Sequence, residues 1–267
     1  MNLLVAGAVA VNHDNLALGN ETFEAAGARF VRNVNVPDVW DANHVDRIRA
    51  ATPGEIDALL DRARREYAHC HHLRFDVDPS TPPEFEARLQ LDGYVAGEGL
   101  VSILEGDLVG HARTFDIREV GDASGWTAYG ALKALNWAES RERMGQQPQP
   151  DVGRRFVAAE RGKSPPRRYW LALIDGAPQG FLSSWEGTAR VGQVEDLFVH
   201  PEYRHRGLAT ALLHHCVADC RAHGAGPVAI VADPTDTPKQ IYAAMGWRPV
   251  AVIRQYRIAT NPGGQSR

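Results

Sequence analysis

A strand that runs into a basic turn and then into a helix, residues 194–210 (VEDLFVHPEYRHRGLAT), constrains this chain more than any other segment. Arg204, Gly207 and Ala209 stand at the first, fourth and sixth positions of an R-x-x-G-x-A pattern across the predicted helix start. The first N–H groups of a helix have no intrahelical partner, and the helix dipole favours negative charge beside them. Glycine and alanine leave room for a phosphate to approach the main chain. The segment predicts a diphosphate site; the simpler alternative is a basic, solvated helix start without a ligand.

The second half of the chain alternates between strand and helix patterns. The Asp-Gly pair at 175–176 predicts a hairpin turn. Pro238 and Gly246 bound a short helix for which Thr237 is the expected N-cap and Gln240 completes a capping box. The predicted elements are helices over 126–143, 151–161, 206–222 and 238–245, and strands over 168–175, 179–186, 191–199, 227–232 and 248–258. This order indicates an α/β fold with a mixed sheet covered by helices.

Two of these motifs resemble the GNAT superfamily of N-acyltransferases, which use acyl-CoA. The family's motif A, Q/R-x-x-G-x-G/A, follows a strand that ends as residues 199–203 (VHPEY) do here. Residues 242–247 (YAAMGW) are similar to the family's Y-x-x-x-G-F/W ending. The resemblance covers about residues 120–258 and implies a GNAT-like fold with acetyl-CoA as the acyl donor.

The resemblance also implies where the donor binds. The backbone of Leu197, Phe198 and Val199 would hydrogen-bond the pantetheine arm as if it were an added strand. The pyrophosphate would lie on Arg204, His205, Arg206, Gly207, Leu208, Ala209 and Thr210. The sequence departs from the family where an Asn usually stands seven residues before the tyrosine, because this chain has Thr235 there. Either Thr235 or Asp233 is expected to replace its polar contact.

Acylation of an amine by a thioester needs a base, because aliphatic amines have a pKa of about 10 and arrive protonated. Glu195 is the candidate base, acting directly or through a water. In a family member with a Glu-Asp pair at the same distance from the motif arginine, the Glu is assigned as the base. Strand alternation places Glu195 on the face of residues 193, 197 and 199 and Asp196 on the other, unless a bulge, usual in the family, shifts it. A surface glutamate at a strand start is the alternative.

Tyr242 is the candidate general acid, because a phenol beside the thioester can protonate the departing thiolate. The alternative is a helix residue that packs its ring against the sheet. A backbone N–H near Val199 would polarise the thioester oxygen. Glu195 and Asp196 together would attract a cationic acceptor, so we expect the pair to contribute to substrate binding.

The first half of the chain carries a faint repeat of the element order that ends the second half. Residues 52–55 and 81–84 each combine Thr-Pro with a following Glu, which predicts a capping box at the start of a helix. A strand is predicted between them, over 72–77, and Gly93-Tyr94 closes the second helix. The same order of helix, strand, Thr-Pro helix and Gly-aromatic pair ends the second half.

At roughly 150 residues per domain, 267 residues indicate two domains. The Gly-containing stretch 118–125 marks the expected boundary. We predict a degenerate GNAT-like or substrate-wall domain over 1–120, which walls the acceptor pocket, and a catalytic GNAT domain over 121–267. The tail, 261–267, is expected to be unstructured.

The apolar run at residues 3–11 is too short to span a bilayer and is predicted to be a buried strand. Three cysteines are too few to hold a secreted mini-domain together, so a cytoplasmic location is expected; they are Cys70, Cys216 and Cys220. The Cys-His clusters at 70–72 and 214–216 lack the spacing of a metal site, so no metal is expected.

A net charge of −4 makes a general nucleic-acid or membrane surface unexpected. The expected activity is transfer of an acetyl group from acetyl-CoA to a primary amine of a small molecule by direct attack. A non-catalytic CoA-binding or partner-binding module and an acetyltransferase acting on protein amino groups are the alternatives. The sequence leaves the acceptor, the acyl chain length and the oligomeric state open.

Overall fold

The computed structural model describes residues 2–143, 145, 152–235 and 238–260. Its α-helices are α1 (Leu3–Ala17), α2 (Pro53–Glu66), α3 (Pro83–Leu91), α4 (Ala123–Arg143), α5 (Val152–Gly162), α6 (Leu208–Ala222) and α7 (Pro238–Ala244). Its strands are β1 (Glu21–Ala25), β2 (Ala28–Arg32), β3 (His44–Asp46), β4 (His72–Val77), β5 (Val95–Leu104), β6 (Asp116–Glu119), β7 (Arg168–Ile174), β8 (Ala177–Trp185), β9 (Gly192–Val199), β10 (Val228–Ala232) and β11 (Arg248–Ala259). Short 3₁₀ helices cover Trp40–Ala42 and Pro201–Tyr203.

The described residues divide into two compact units. The first contains residues 2–102, 231–235, 238–239 and 249–260. The second contains residues 103–143, 145, 152–230 and 240–248. Most of β11 therefore belongs to the first unit, although it follows the second unit in the chain. The predicted division at residue 120 concerns where the catalytic domain begins, and it stays a prediction.

In the first unit, five strands lie in the order β1-β2-β3-β4-β11. β3 and β4 are parallel, and the other neighbours are antiparallel. β11 pairs along β4, with Tyr256 opposite Phe75. The ring of Tyr256 is 2% exposed and joins a core built around Phe30, Phe75 and Phe85. β11, the last strand among the described residues, thus completes the core of the first unit.

The first element is a helix, so the buried strand predicted for residues 3–11 is wrong. Asn2 caps helix α1 by accepting a hydrogen bond from the Leu4 N–H at 3.0 Å, and the alanines of the segment are strong helix formers. The predicted strand stopped where the polar Asn12 and His13 begin. Both side chains are buried in the structure, and the helix continues beyond them. A short apolar run has no periodicity that separates a buried strand from a buried helix.

Both predicted Gly-aromatic closures are confirmed, and they share one hydrogen-bond pattern. Gly93 and Gly246 have φ angles of +81° and +102°, which favour glycine. The N–H groups of Tyr94 and Trp247 each donate, over 3.0 Å, to the carbonyl oxygen five positions earlier. This is the arrangement of a Schellman helix end. The repeat noticed in the sequence therefore extends to the main-chain geometry at these two helix ends.

The predicted helix starts differ in their caps. Thr52 forms the predicted capping box with Glu55. Helix α3 is confirmed, but the box predicted for it is wrong, because Pro82 and not Thr81 is its N-cap and no side chain caps it. Thr237, the predicted N-cap of α7, lies outside the described residues, as does the tail at 261–267.

In the second unit, the strands lie in the order β10-β9-β8-β7-β6, and only β10 and β9 are parallel. Helix α4 packs on one face, where the rings of Tyr129 and Phe181 are 4.9 Å apart. Helix α6 packs on the other, where Ser184 Oγ donates to Asp219 Oδ2 at 2.5 Å. The elements predicted for this half are confirmed, each within three residues of its predicted bounds. The hairpin turn at 175–176 is also confirmed, with both residues at positive φ.

Candidate active site

Strand β9 carries a bulge in the middle of the predicted site. On β8 a single residue separates the partners of Glu195 and Phe198, whereas on β9 two residues, Asp196 and Leu197, separate them. Asp196 accommodates the extra residue with a left-handed φ of +71°. Because cross-strand partners point to the same face, Glu195 and Phe198 share the face covered by α4, and Val199 points to the other. The predicted alternation holds as far as Glu195. Asp196, predicted to lie on the opposite face, instead turns its carboxylate to Tyr129 and Lys133 of helix α4, because the bulge shifts it.

β9 and β10 are neighbours only at their beginnings. Gly192 and Gln193 pair with Val228 and Ala229. In the described part of the chain, this pairing does not continue along residues 194–199. The other edge of β9 is occupied by β8 as far as Val199. The two parallel strands therefore separate, and among the residues described the main-chain edge of residues 197–199 facing away from β8 has no strand partner, although the Val199 carbonyl oxygen accepts from Arg204 Nε.

Helix α6 begins at a left-handed glycine. Gly207 is its N-cap with a φ of +96°, and His205 before it has a φ of +61°. The first hydrogen bond of the helix runs from the Ala211 N–H to the Gly207 carbonyl oxygen at 3.0 Å. Among the residues described, the N–H groups of residues 208–210 have no main-chain acceptor, as the first turn of a helix requires. The start of α6 thus leaves main-chain N–H groups available at the predicted position, and the diphosphate site itself stays a prediction.

The two arginines of the motif differ in their surroundings. Arg204 Nε donates to the Val199 carbonyl oxygen at 3.1 Å, and its two terminal nitrogens bind the carboxylate of Glu139 at 2.9 and 2.5 Å. Arg206 lies over the ring of Tyr203, 4.9 Å from its centre, and no acidic partner of it is found within the described ranges. Arg204 therefore holds the turn in place, and its charge is balanced by Glu139. The charge of Arg206 is not balanced by an acidic side chain among the residues described.

Glu195 lies half-buried beside a fixed cation. Gln193 Nε2 donates to Glu195 Oε2 at 2.8 Å, and the Glu195 carbonyl oxygen accepts from Ser183 Oγ at 2.7 Å. That hydroxyl in turn accepts from Arg167 Nε at 2.8 Å. Burial alone would lower the pKa of Arg167, but the anionic groups around it, Glu195 among them, raise it above its ordinary value. The charges of Arg167 and Glu195 therefore attract each other in this part of the site.

Asp196 is held by two groups of helix α4. Its Oδ2 accepts from the Tyr129 hydroxyl at 3.2 Å and forms an ion pair with Lys133 Nζ. Burial would lower the pKa of Lys133, but attraction to Asp196 raises it. Lys133 therefore remains charged and offsets the charge of Asp196. The Glu195-Asp196 pair does not present two uncompensated negative charges.

A third buried carboxylate, Glu160, lies in the same unit. Its Oε2 accepts from the Tyr169 hydroxyl at 2.6 Å, and its oxygens lie 3.4 Å from both Lys163 Nζ and Arg167 Nη1. Burial would raise the pKa of Glu160, but the surrounding cations, Lys163, Arg167 and Lys133, lower it to about 2. Glu160 is thus an anion at neutral pH and orients Arg167 toward Ser183.

Sequence reasoning missed Lys133, Glu160 and Arg167 as parts of this site. They come from three separate segments, and no motif links them. The available signal was indirect: Lys133 follows Tyr129 at helical spacing, so a charged residue shares a face with a buried aromatic residue. Such a charge needs a partner, which the sequence alone does not identify.

Tyr242 lies on α7, only 6% exposed, with its ring edge-on to Trp247 at 5.8 Å. Trp247 Nε1 donates to the Val228 carbonyl oxygen at 3.3 Å. The packing role considered for Tyr242 is therefore present, and its role as an acid stays a prediction. Thr235 donates through its N–H and its hydroxyl to Asp233 Oδ1 at 2.7 and 2.6 Å, which forms a local turn. The polar contact expected from one of these two residues also stays a prediction.

Among the residues described, no group of three or more His, Cys, Asp and Glu side chains is arranged to hold a metal ion. The three cysteines are buried free thiols. Burial raises the pKa of Cys70 and Cys220 to about 12, so both stay protonated at neutral pH. In the same part of the chain, no helix has the length and apolar character needed to cross a membrane.

Comparison with known families identifies the segment that holds these features. The model of the acetyltransferase (GNAT) family matches residues 132–247, which include the bulged strand, the Gly207 turn and Tyr242. The chain contains a GNAT acetyltransferase domain. It is accordingly a transferase of the acyltransferase class, and the GNAT family uses acetyl-CoA. No curated protein matches the sequence.

Solved structures extend the likeness across both halves of the chain. A protein of unknown function from Staphylococcus epidermidis ATCC 12228 has a TM-score of 0.66 at 14% identity, over 91% of this chain and 95% of its own. A GCN5-related N-acetyltransferase from Kribbella flavida has a TM-score of 0.66 at 19% identity, over 99% and 97%. A tandem GNAT protein from the clavulanic acid biosynthesis pathway has a TM-score of 0.56 at 19% identity, over 80% and 72%. At these identities the likeness shows the fold, and it confirms the predicted mixed α/β GNAT fold.

Proposed function

We propose that this protein transfers an acetyl group from acetyl-CoA to a primary amine of a small molecule by direct attack. The observation that carries the proposal is the course of β9 within the second unit. The strand bulges at Asp196 and Leu197, separates from β10, and leads through a tight turn to a helix start at the left-handed Gly207. This combination offers an extended backbone edge followed by an anion site, in the order required by a pantetheine arm and a diphosphate.

The donor would be held mainly by the main chain. Residues 197–199 supply the backbone groups for the pantetheine amides, and the N–H groups at the start of α6 supply donors for the diphosphate. Gly207 suits this role because an L side chain is strained at a φ of +96°. Ala209 keeps the first turn of the helix narrow. When bound, acetyl-CoA supplies a thioester whose carbonyl carbon accepts a nucleophile.

Glu195 would take the proton that the acceptor ammonium must lose, directly or through a water. The deprotonated nitrogen then forms a bond to the thioester carbonyl carbon as the carbon–sulfur bond breaks. Glu195 is half-buried on β9 next to the bulge, and Arg167 lies close enough to interact with its charge.

Tyr242 would give its hydroxyl proton to the departing thiolate, so that the free thiol of CoA leaves and the acetylated amine remains. The attacking nitrogen loses its second proton as the amide forms and returns a proton to the tyrosine, and the proton held on Glu195 passes to solvent. This role is compatible with the packing of its ring, because a phenol can bury its ring while using its hydroxyl.

The acceptor is the least constrained part of the proposal. Because Lys133 offsets Asp196, attraction of a cationic acceptor rests on Glu195 alone, and Asp196 is a weaker candidate for substrate binding than the sequence suggested. A small-molecule acceptor, a cytoplasmic location and a wall role for residues 1–120 all stay predictions.

Release of free CoA thiol tests the proposal. The purified protein is incubated with acetyl-CoA and a panel of small amines, lysine peptides and peptide N-termini. We expect release with small amines, a loss of at least about a hundredfold in kcat for Glu195→Gln, and a smaller loss for Tyr242→Phe. Glu105→Gln and Tyr94→Phe, which change the same residue types outside the site, serve as controls and should match the unchanged protein.

The other outcomes separate the alternatives. Binding of acetyl-CoA without release across the whole panel would favour a non-catalytic CoA-binding module. Release with peptides alone would favour acetylation of protein amino groups. Failure to bind acetyl-CoA would contradict the proposal as a whole.

A further inference from the structure

A cavity of about 470 Å³, largely open to solvent, lies in the second unit beside the start of helix α6. Its lining includes Arg113, Phe115, Asp116, Leu173, Asp175 and Arg206. Its volume falls within the range of small-molecule sites, roughly 300 to 1,000 Å³. None of these residues except Arg206 belongs to the motif that predicted the diphosphate site.

Arg113 lies directly against the turn that leads into α6. A Cβ placed on Gly207 would stand 3.6 Å from Arg113 Cδ and 3.8 Å from Phe115 Cε2. The main-chain N–H groups of residues 208–210 begin at the same glycine. The cavity is therefore adjacent to the site proposed for the diphosphate.

The charges around the cavity leave an excess of positive charge. Neither Arg113 nor Arg206 has an acidic partner within the described residues. Of the two carboxylates in the lining, Asp116 is bound by Arg118 at 2.5 Å, whereas Asp175 faces the cavity without a recorded ion pair in the same residues. Two guanidinium groups against one uncompensated carboxylate favour an anion. Guanidinium groups match phosphate oxygens in geometry as well as in charge.

We infer that Arg113 and Arg206 bind the 3′-phosphate of coenzyme A, whose ribose is joined directly to the diphosphate. The inference rests on the proposed function, because it assumes that CoA is the donor. Phe115 and Leu173 give the same cavity an apolar wall against which the adenine can pack. Arg113 is then a specificity residue that distinguishes CoA from its 3′-dephosphorylated form.

The test compares the dissociation constants of CoA and 3′-dephospho-CoA by titration calorimetry. We expect the unchanged protein to bind CoA about tenfold more tightly than dephospho-CoA. This factor corresponds to the lower end of the free energies found for hydrogen bonds to charged groups, as suits an exposed site. Arg113→Gln should bring the two dissociation constants close together. The variant should bind CoA more weakly, whereas its dissociation constant for dephospho-CoA should stay within about twofold of that of the unchanged protein. Arg206→Gln should also reduce the preference. The preference should shrink as ionic strength rises.

Arg190→Gln is the matched control, because Arg190 is also exposed and lies in the turn before β9, outside the cavity lining. It should keep the full preference. The inference is overturned if the unchanged protein binds both ligands equally, if Arg113→Gln keeps the preference, or if Arg113→Gln weakens both ligands by the same factor. A protein that binds neither ligand contradicts the proposed function and this inference together, so the two failures are distinguishable.

Discussion

Arg204 and Glu139 form a two-point ion pair, with nitrogen–oxygen distances of 2.9 and 2.5 Å. The motif arginine therefore anchors helix α4 to the end of β9, where its Nε also binds the Val199 carbonyl oxygen. In the proposed donor site the contribution of Arg204 would be geometric, because it holds the turn whose main chain presents the N–H groups.

We expect Glu139→Gln to weaken this anchor without changing the turn itself. Both side chains are about one-third exposed, so the free energy of unfolding should fall by only about 0.5 to 1 kcal/mol. The dissociation constant for CoA should rise by less than about fivefold. Chemical denaturation and calorimetry measure the two effects. A loss of CoA binding as large as that of Arg206→Gln would show that the pair acts on the phosphates and not on the turn.

Lys133→Met should destabilise the bulge of β9. The substitution removes the cation beside the Asp196 carboxylate, which then keeps only the Tyr129 hydroxyl as a partner. We expect the free energy of unfolding to fall by about 2 kcal/mol, which is less than the loss expected when a fully buried ion pair is broken. Lys133→Arg should restore most of the stability.

A double-mutant cycle with Asp196→Asn tests this coupling. We expect the double variant to lose less unfolding free energy than the two single variants lose in total, because neither partner is then left unpaired. Strictly additive effects would contradict the coupling.

Glu160 should make stability depend on pH below about 5. Its pKa is about 2 in the folded protein and near its ordinary value of 4.5 when unfolded. The folded state therefore gains stability from the ionised carboxylate above pH 4.5, and this gain is lost as the pH falls toward 2. The contribution is of order 3 kcal/mol.

Glu160→Gln provides the comparison for the pH effect. Urea unfolding at pH 7, 5, 4 and 3 should show a variant that is less stable at pH 7, with a difference from the unchanged protein that narrows below pH 4.5. A difference that stays constant from pH 7 to 3 would contradict the assignment.

Gly207→Ala should weaken CoA binding by at least about tenfold, because a φ of +96° is strained for alanine and relaxation moves the first N–H groups of α6. Gly207→Pro should abolish binding, since proline cannot adopt this φ and removes an N–H. Gly224→Ala is the matched control: Gly224 has a φ of +99° with open space around it, at the other end of the same helix. It should lose similar stability and keep its affinity. Equal loss of affinity in Gly207→Ala and Gly224→Ala would contradict the diphosphate assignment.

Several elements of the fold could be predicted because their signals are local. Thr52 and Glu55 form a capping box within four residues, and Gly93 and Gly246 adopt a conformation that other residues resist. The glycine-led start of α6 is local in the same sense. The structure departed from prediction where a local signal was ambiguous, as in the apolar run that forms α1, or where a neighbouring proline took the cap position, as at Thr81.

The amino-acid order by itself determined the candidate donor site, because a left-handed glycine and a run of unpaired main-chain N–H groups are properties of one continuous segment. Only the tertiary structure decided the surroundings of Glu195 and Asp196. Ion pairs and strand registers join residues far apart in the chain, so Lys133 reaches Asp196, Arg167 reaches Ser183, and β9 bulges against β8. Electrostatic partners depend on distance in space, which a linear pattern does not contain.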